Sequence, residues 1–150
     1  MRKVWISLGS NIKNPFFQIE KALTKIKKIP FTKLISKSSY YLSEPLGPKN
    51  QPNFLNVTIK IKTRLDPKNL LKYTEKIEIK QKRKRTKFNK WGPRTIDIDI
   101  LIFDNVIIKC DKLIIPHYDL INRHFFIYPL SEISPNVFIP GYGCLKKFIK

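Results

Sequence analysis

The sequence is poor in glycine and has no glycine-rich loop for phosphate. Only 5 of its 150 residues are glycine, and none stands in the Gly-Lys-Ser or Gly-Lys-Thr context of a P-loop. A P-loop enzyme is therefore excluded, so any bound phosphate must be held in another way. Arginine can do this, because a guanidinium group matches phosphate oxygens bidentately and keeps its charge.

Cysteines and long apolar runs are also scarce. The two cysteines, Cys110 and Cys144, are too few and too far apart for a zinc site or a disulfide framework. No uncharged apolar run approaches the roughly 20 residues that span a bilayer. The apolar stretch near the N-terminus is too short for a signal peptide. We therefore expect a soluble cytoplasmic protein with no membrane partner.

Acidic residues are few, which leaves the chain strongly basic. It has 11 Asp and Glu against 30 Lys and Arg, a formal net charge of +19. Such a charge attracts polyanions, including nucleic acids, anionic membrane surfaces and nucleotides. Much of the excess is lysine scattered through every segment, which also fits a compositional bias of a whole proteome. Net charge alone does not separate these explanations.

The hydrophobic pattern predicts one α+β domain that spans residues 1–150. At 42% hydrophobic residues the chain can bury a core of ordinary size. Period-two strands and short connections favour a mainly antiparallel sheet with helices packed on it, in ferredoxin-like layers. Strands are predicted at residues 4–8, 54–62 and 96–104, and helices after Asn14-Pro15 and Asp66-Pro67, where proline follows an N-cap residue.

Other segments have weaker signals. Prolines at 45, 48 and 52 predict a stiffened loop over residues 44–53, and Gly9-Ser10-Asn11 predicts a turn after the first strand. From residue 117 onward we predict irregular chain with helical turns. The buried stripes are expected to contain Phe16, Ile19, Leu23 and Ile26 in the first helix, and Leu70, Tyr73 or Thr74, and Ile77 in the second, with Glu78 on a neighbouring face.

Two carboxylates stand on one face of an otherwise apolar strand. Asp97 and Asp99 point the same way in an extended chain, while Ile96, Ile98, Ile100 and Ile102 point the other way. Leu101 and Phe103 should share the aspartate face, so that face is only locally acidic. Two anions about 7 Å apart along a strand repel unless a cation lies between them. Mg²⁺ suits such a site, although a solvated strand face or turn would have the same pattern.

The densest positive charge lies in residues 80–90, between the second helix and the aspartate strand. It could bind nucleic acid, form a solvated loop, or close over a bound triphosphate. Its position beside the aspartate pair favours the third interpretation.

Arginines and one histidine are further candidates for phosphate contacts. In this lysine-rich chain, arginine occurs at Arg83, Arg85, Arg94 and Arg123. His117 could hydrogen-bond a phosphate or carry a proton, although a lone histidine is more often structural.

Aromatic and amide side chains suggest a pocket for a flat organic ligand. Phe54 and Phe125 could stack on a heterocycle, and the Asn56 amide could donate to and accept from its edge; Trp91 is a further candidate. Core packing explains any one of these residues equally well.

Taken together, these motifs resemble the 6-hydroxymethyl-7,8-dihydropterin pyrophosphokinase family of folate biosynthesis. The resemblance extends over nearly the whole chain. It is carried by Gly9-Ser10-Asn11, Pro45-Leu46-Gly47-Pro48, Asn53-Phe54-Leu55-Asn56, Glu78 with Arg83, the run from Trp91 to Ile100, Pro116-His117, Arg123 and Phe125. Lys82 departs from the small residue usual in the family, and the interval from Arg83 to Trp91 is one residue longer.

The resemblance implies transfer of the terminal diphosphate of ATP to a reduced pterin alcohol. It implies two Mg²⁺ ions held by Asp97 and Asp99, with catalytic roles for Arg83 and Arg94. It further implies ATP contacts from Arg85, Trp91, Ile100, His117, Tyr118 and Arg123, and pterin contacts from Ser43, Pro45, Leu46, Phe54, Asn56 and Phe125. We expect a monomer that binds no nucleic acid. A basic nucleic-acid-binding protein and another metal-dependent nucleotidyl-transfer enzyme are the alternatives.

Overall fold

A computed structural model describes residues 1–82 and 92–149 of the chain. The strands in these residues are β1 (Arg2–Ser10), β2 (Thr32–Lys37), β3 (Tyr41–Ser43), β4 (Phe54–Thr63), β5 (Asp97–Phe103), β6 (Ile108–Cys110), β7 (Leu113–Ile115), β8 (Phe138–Ile139) and β9 (Gly143–Cys144). The helices are α1 (Pro15–Lys27), α2 (Pro67–Lys80) and α3 (His124–Ile133), with 3₁₀ turns at Leu120–Asn122 and Leu145–Phe148. No helix in these ranges is long and apolar enough to cross a membrane.

The main sheet is antiparallel and lies between two helical layers. Its strand order is β2-β4-β1-β5, with β3 paired to the start of β4. One face packs on α1 and α2, and the other packs on α3 and the C-terminal segments. This arrangement confirms the predicted α+β fold with a mainly antiparallel sheet.

Both predicted helix starts are confirmed. The side chain of Asn14 accepts a hydrogen bond from the N–H of Phe17, and that of Asp66 accepts one from the N–H of Asn69. Proline follows each cap residue, where a missing N–H costs nothing because the first helical N–H groups have no partner within the helix. Local sequence chemistry therefore sets where α1 and α2 begin.

The buried faces of the helices differ from the prediction at three residues. Phe16 is 55% exposed and rests on the ring of Tyr40, while Ala22 takes a core position that the spacing argument omitted. In α2, Leu70, Thr74 and Ile77 are buried as expected, but Glu78 is buried too. Phe16 is the second residue of α1, and the first turn of this helix is not covered by the core.

The first strand is longer than its sequence predicts. Gly9 and Ser10 pair with Asn56 and Leu55, so they extend β1 instead of forming a turn. The predicted turn is wrong because pairing with β4 decides the conformation of Gly9 and Ser10, whereas their local propensity favours a turn.

A β-bulge interrupts β5 and changes which side chains share its faces. The register against β1 shifts between Ile100 and Ile102, so Leu101 is an extra residue. Ile102 therefore packs toward α3, and Phe103 packs toward α1 and α2. The predicted faces of Ile102 and Phe103 are wrong because one inserted residue reverses the alternation that follows it.

The helix α3 was not predicted, since the chain after residue 117 was expected to be irregular. Pro129 lies inside this helix and removes one backbone donor. The side chains of Phe126, Ile127 and Leu130 are buried against the sheet. Their burial stabilises a short helix that would be marginal in isolation.

Two isoleucines of α2 offer a matched test of the core. Ile77 is 6% exposed and Ile79 is 71% exposed. We expect Ile77→Ala to lower the free energy of unfolding by about 2–5 kcal/mol, because it leaves a cavity. Ile79→Ala should change it by no more than about 0.5 kcal/mol. Urea denaturation followed by circular dichroism measures both, and equal losses in the two variants would contradict the buried face assigned to α2.

Candidate active site

A cleft opens on the α3 face of the sheet. Its walls come from β1, β3, β4, β5 and α3, together with the loops that flank them. The predicted site residues that line it are Ser43, Leu46, Phe54, Asn56, Arg94, Asp97, Asp99, Arg123 and Phe125. Two of these predicted residues, Ser43 and Phe125, are 82 positions apart in the sequence and line the same cavity.

The acidic end of the cleft is formed by the start of β5. Asp97 and Asp99 both line the cavity, while Ile98 between them is 5% exposed and belongs to the core on the opposite face. A guanidinium nitrogen of Arg94 (Nη1) lies 3.0 Å from Oδ2 of Asp97. The pair is partly buried, with 16% and 23% of the two side chains exposed. Carboxylates and a fixed cation thus occupy one end of the cleft.

The donor set at this end suits a hard cation that shares its ligands with a substrate. Among residues 1–82 and 92–149, no cluster of three or more His, Cys, Asp or Glu side chains could hold a metal ion. Asp97 and Asp99 would leave most coordination positions to other oxygens. Mg²⁺ is commonly bound in this way, by one or two carboxylates plus substrate phosphates. The two aspartates therefore fit Mg²⁺ better than a metal that needs a complete protein cage.

His117 is a neutral hydrogen-bond donor beside Asp99. Its Nδ1 accepts the N–H of Asp119 at 3.1 Å, so the ring proton is on Nε2, which lies 3.8 Å from Oδ1 of Asp99. Burial lowers the pKa of His117 to about 4, and the charge of Arg123 acts in the same direction. At neutral pH the contact with Asp99 is therefore not an ion pair, and the imidazole is poorly suited to carry a proton.

Arg123 is held by aromatic rings and a carboxylate. Its guanidinium carbon lies 5.3–5.9 Å from the ring centroids of Tyr118, Phe125 and Phe126. Its Nε donates to Oδ2 of Asp119 at 2.8 Å. These contacts fix a cation at the edge of the cleft before any ligand arrives.

The other end of the cleft combines aromatic rings with one oriented amide. Nδ2 of Asn56 donates to the carbonyl oxygen of Tyr41 at 3.1 Å and to Oγ of Ser43 at 2.8 Å. Because a backbone carbonyl can only accept, this contact fixes which end of the amide is the donor. The acceptor Oδ1 then lies beside Gly9, where a β-carbon would come within 3.0 Å of it.

Asn11 connects three segments that surround the cleft. Its Nδ2 donates to Gln51 and to the carbonyl oxygen of Pro52, each at 2.9 Å, and its Oδ1 accepts the N–H of Arg94 at 2.8 Å. The N–H of Asn11 also donates to the carbonyl oxygen of Arg94. A buried amide thus connects the proline-rich loop to the segment that precedes β5.

Glu78 supports the aspartate strand from behind. It is 2% exposed, and its Oε2 accepts the N–H of Ile98 at 2.9 Å. The sequence analysis placed Glu78 in the family pattern but gave it no structural role. Its position shows that the residue between the two aspartates is anchored to α2.

Several predicted site residues lie elsewhere. Pro45 is buried outside the cleft lining, and Ile100 is in the core on the face away from the aspartates. Tyr118 is half exposed and stacks on His117, and neither residue is part of the cleft lining. Arg83, Arg85 and Trp91 lie outside the described residues, as does most of the basic stretch 80–90.

Other lining residues were not singled out by sequence reasoning. Ser7, Gly9, Glu44, Gly92 and Phe126 complete the cavity wall. Ser7 could have been found, because a serine at a position facing away from Ile6 and Leu8 puts a polar group on the α3 face of β1. Glu44 has no local signal, since an exposed glutamate in a loop is common.

Comparison with known proteins supports one family. The model of the 7,8-dihydro-6-hydroxymethylpterin-pyrophosphokinase (HPPK) family matches residues 5–135. The chain is 42% identical over 150 residues to the 2-amino-4-hydroxy-6-hydroxymethyldihydropteridine pyrophosphokinase of Haemophilus influenzae, covering 100% of this chain and 92% of that protein. It is 43% identical over 142 residues to the protein of the same name from Aquifex aeolicus, covering 95% and 86% of the two chains.

A known structure has a similar fold. A crystal structure of wild-type Plasmodium falciparum HPPK-DHPS with pteroate matches with a TM-score of 0.73 at 15% identity, covering 98% of this chain and 43% of that one. At this identity the likeness concerns the fold alone, and the family follows from the sequence matches over almost the whole chain. The chain therefore belongs to the 7,8-dihydro-6-hydroxymethylpterin-pyrophosphokinase family.

Proposed function

We propose that the cleft on the α3 face is where this chain performs the reaction of its family. That reaction transfers diphosphate from ATP to 6-hydroxymethyl-7,8-dihydropterin and gives AMP and the pterin diphosphate, a step of folate biosynthesis. The observation that carries the proposal is the division of one cavity into an aromatic and amide end and a carboxylate and guanidinium end. The two ends match a flat heterocycle and a polyphosphate.

The aromatic end is proposed to hold the pterin. Phe54 and Phe125 reach the cavity from β4 and α3 and offer ring faces to a planar ligand. Nδ2 of Asn56 is already occupied by β3, so its Oδ1 would accept from N–H groups on the edge of the heterocycle. Ser43 and Leu46 complete this end of the cleft, and the resemblance adds Pro45.

The charged end is proposed to hold the phosphates of ATP. The pterin hydroxyl oxygen attacks the β-phosphorus and its proton is released to solvent, the bond from that phosphorus to the α,β-bridging oxygen breaks, and AMP leaves. Arg94 and Arg123 are fixed cations that would face the negative charge that develops, and His117 would donate its Nε2–H. Such transfers depend mainly on positioning and charge stabilisation.

Asp97 and Asp99 are proposed to hold two Mg²⁺ ions. When bound, Mg²⁺ would neutralise phosphate charge and lower the pKa of the attacking hydroxyl. The family resemblance assigns Arg83 to catalysis and Arg85, Trp91, Ile100 and Tyr118 to ATP, and these roles remain proposals.

The number of domains, the oligomeric state and the cell compartment are also proposals. Residues of one chain line it from β1 to α3, so a single domain over residues 1–150 would suffice and we expect a monomer. Two free cysteines fit a reducing cytoplasmic compartment.

The product nucleotide tests the function. With ATP, Mg²⁺ and the reduced pterin alcohol, we expect AMP in a one-to-one ratio with the pterin diphosphate, measured by anion-exchange chromatography. ADP as the product would exclude diphosphate transfer. Binding of nucleic acid with a steep salt dependence, and no turnover, would instead support the nucleic-acid alternative.

Two conservative variants test the acidic pair. Asp97→Asn and Asp99→Asn should each reduce turnover by roughly 10²-fold or more, because each removes the charge of a carboxylate that is proposed to hold Mg²⁺. Their circular dichroism spectra should match that of the wild type. Asp111→Asn, a change outside the cleft, is the control. Wild-type turnover in either folded cleft variant would contradict the metal-binding role.

Arg94 should act on the chemical step more than on nucleotide binding. Arg94→Ala removes a cation that already lies 3.0 Å from Asp97, so we expect the single-turnover rate to fall roughly 10²-fold or more. The Kd for ATP should change much less. Rapid-quench kinetics and equilibrium titration separate the two. An unchanged rate with weakened ATP binding would show that Arg94 only binds substrate.

Gly9 tests the assigned position of the Asn56 amide. In Gly9→Ala the new methyl group would meet Oδ1 of Asn56 at 3.0 Å, so the amide must shift. We expect a higher KM for the pterin and an unchanged KM for ATP, measured by steady-state kinetics. Equal effects on both substrates would place the disturbance outside the pterin end.

A further inference from the structure

A carboxylate at the end of α3 joins this helix to the shortest strand of the main sheet. Glu132 accepts hydrogen bonds from the N–H of Ser39 at 2.9 Å, from its hydroxyl at 2.9 Å and from the hydroxyl of Tyr41 at 2.6 Å. Both carboxylate oxygens are used. Three donors on one carboxylate make this the most extensive side-chain link between α3 and the sheet in the described parts of the chain.

The strand β3, which receives this link, has few backbone hydrogen bonds to its neighbour β4. β3 has three residues, and within residues 1–82 and 92–149 it pairs along one side only, with Phe54, Leu55 and Asn56 of β4. Leu42 in its middle is 71% exposed. A short edge strand of this kind has few ladder hydrogen bonds, so one further attachment has a large effect on its position.

The same strand supplies the two shortest hydrogen bonds of Asn56 Nδ2. The carbonyl oxygen of Tyr41 and the hydroxyl of Ser43 accept from Nδ2, as described for the cleft. Any movement of β3 therefore changes the direction in which Oδ1 of Asn56 points. The side chain of Tyr41 reaches Glu132 while its backbone holds Asn56, so one residue connects the two interactions.

The other end of α3 carries the opposite wall of the cleft. Phe125 lies in its first turn and lines the cavity, whereas Glu132 lies in its last turn, outside the lining. A helix is rigid over ten residues, so fixing its last turn to β3 also fixes Phe125 relative to Asn56.

The link is exposed to solvent, and one of its partners is charged. The hydrogen bond to Glu132 raises the pKa of Tyr41 to about 12, and the same bond lowers the pKa of the Glu132 carboxyl. Near neutral pH the phenol is protonated and the carboxylate is charged. Hydrogen bonds with one charged partner are stronger than neutral ones.

We propose that Glu132 is a positioning residue that sets the separation of the two walls of the pterin end by joining α3 to β3. The inference rests on the proposed function, because it assigns Glu132 to the binding of the pterin. It touches neither substrate and acts through Tyr41 and Ser39. Its loss should therefore weaken pterin binding selectively, without affecting the phosphate end.

Glu132→Ala and Tyr41→Phe test the proposal. We expect each to raise the KM for the pterin about tenfold, the scale of one lost hydrogen bond to a charged group. The KM for ATP should stay within about twofold. Equilibrium titration of the pterin in the presence of a non-hydrolysable ATP analogue should show the same weakening without turnover. Glu132→Gln, which retains acceptor capacity at one oxygen, should recover part of the affinity.

Tyr40→Phe is the matched control. Tyr40 precedes Tyr41 and donates in the same way to a glutamate, but its partner is Glu20 on α1, on the other face of the sheet. Removing this bond should lower thermal stability and leave pterin affinity unchanged. If Tyr40→Phe and Tyr41→Phe weaken pterin binding equally, the effect is general destabilisation and the proposal is wrong.

A double-mutant cycle sharpens the result. If Tyr41 acts through Glu132, adding Tyr41→Phe to Glu132→Ala should weaken pterin binding less than it does in the wild type. Fully additive effects, or an unchanged pterin affinity in folded Glu132→Ala, would overturn the proposal. If Glu132→Ala fails to fold, Tyr41→Phe decides alone, since it keeps the bonds from Ser39. Absence of AMP formation by the wild type would instead count against the proposed function.

Discussion

The hydrogen bond from the N–H of Ile98 to the buried carboxylate of Glu78 holds the acid-bearing strand in place. Among the described strands, β5 is at the edge of the main sheet and pairs with β1 alone. Ile98 lies between the two aspartates and faces the core, so an anchor at this residue fixes the direction of both neighbours. Burying a carboxylate is costly unless it is hydrogen-bonded. The hydrogen bond from Ile98 offsets part of the cost of burying Glu78 at the start of β5.

The sequence predicts the helix starts and the shared face of the two aspartates, because neighbouring residues determine these features. Both α1 and α2 begin where a cap residue and proline predict, and Asp97 and Asp99 share the cleft as strand alternation requires. The errors occur where packing overrides local preference. The bulge at Leu101 depends on pairing with β1, and α3 depends on buried side chains that offset an internal proline.

The contacts that organise the cleft could not be predicted, because they join distant residues. The bond between Asn11 and Arg94 spans 83 positions, and that between Ser39 and Glu132 spans 93. A single asparagine or glutamate carries no signal for such a partner. The residues proposed to contact a ligand belong to recognisable motifs, whereas the residues that hold these motifs in place do not.

The cleft takes its walls from both ends of the chain, with Ser7 and Gly9 on β1 and Phe125 on α3. During synthesis, more than a hundred residues are added after β1 before Phe125, which lines the opposite wall of the cleft, is made. Contacts of such long range slow folding. A ligand that fills the cleft would bind the completed domain and not a partly emerged chain, so it would shift the equilibrium toward the native state by mass action.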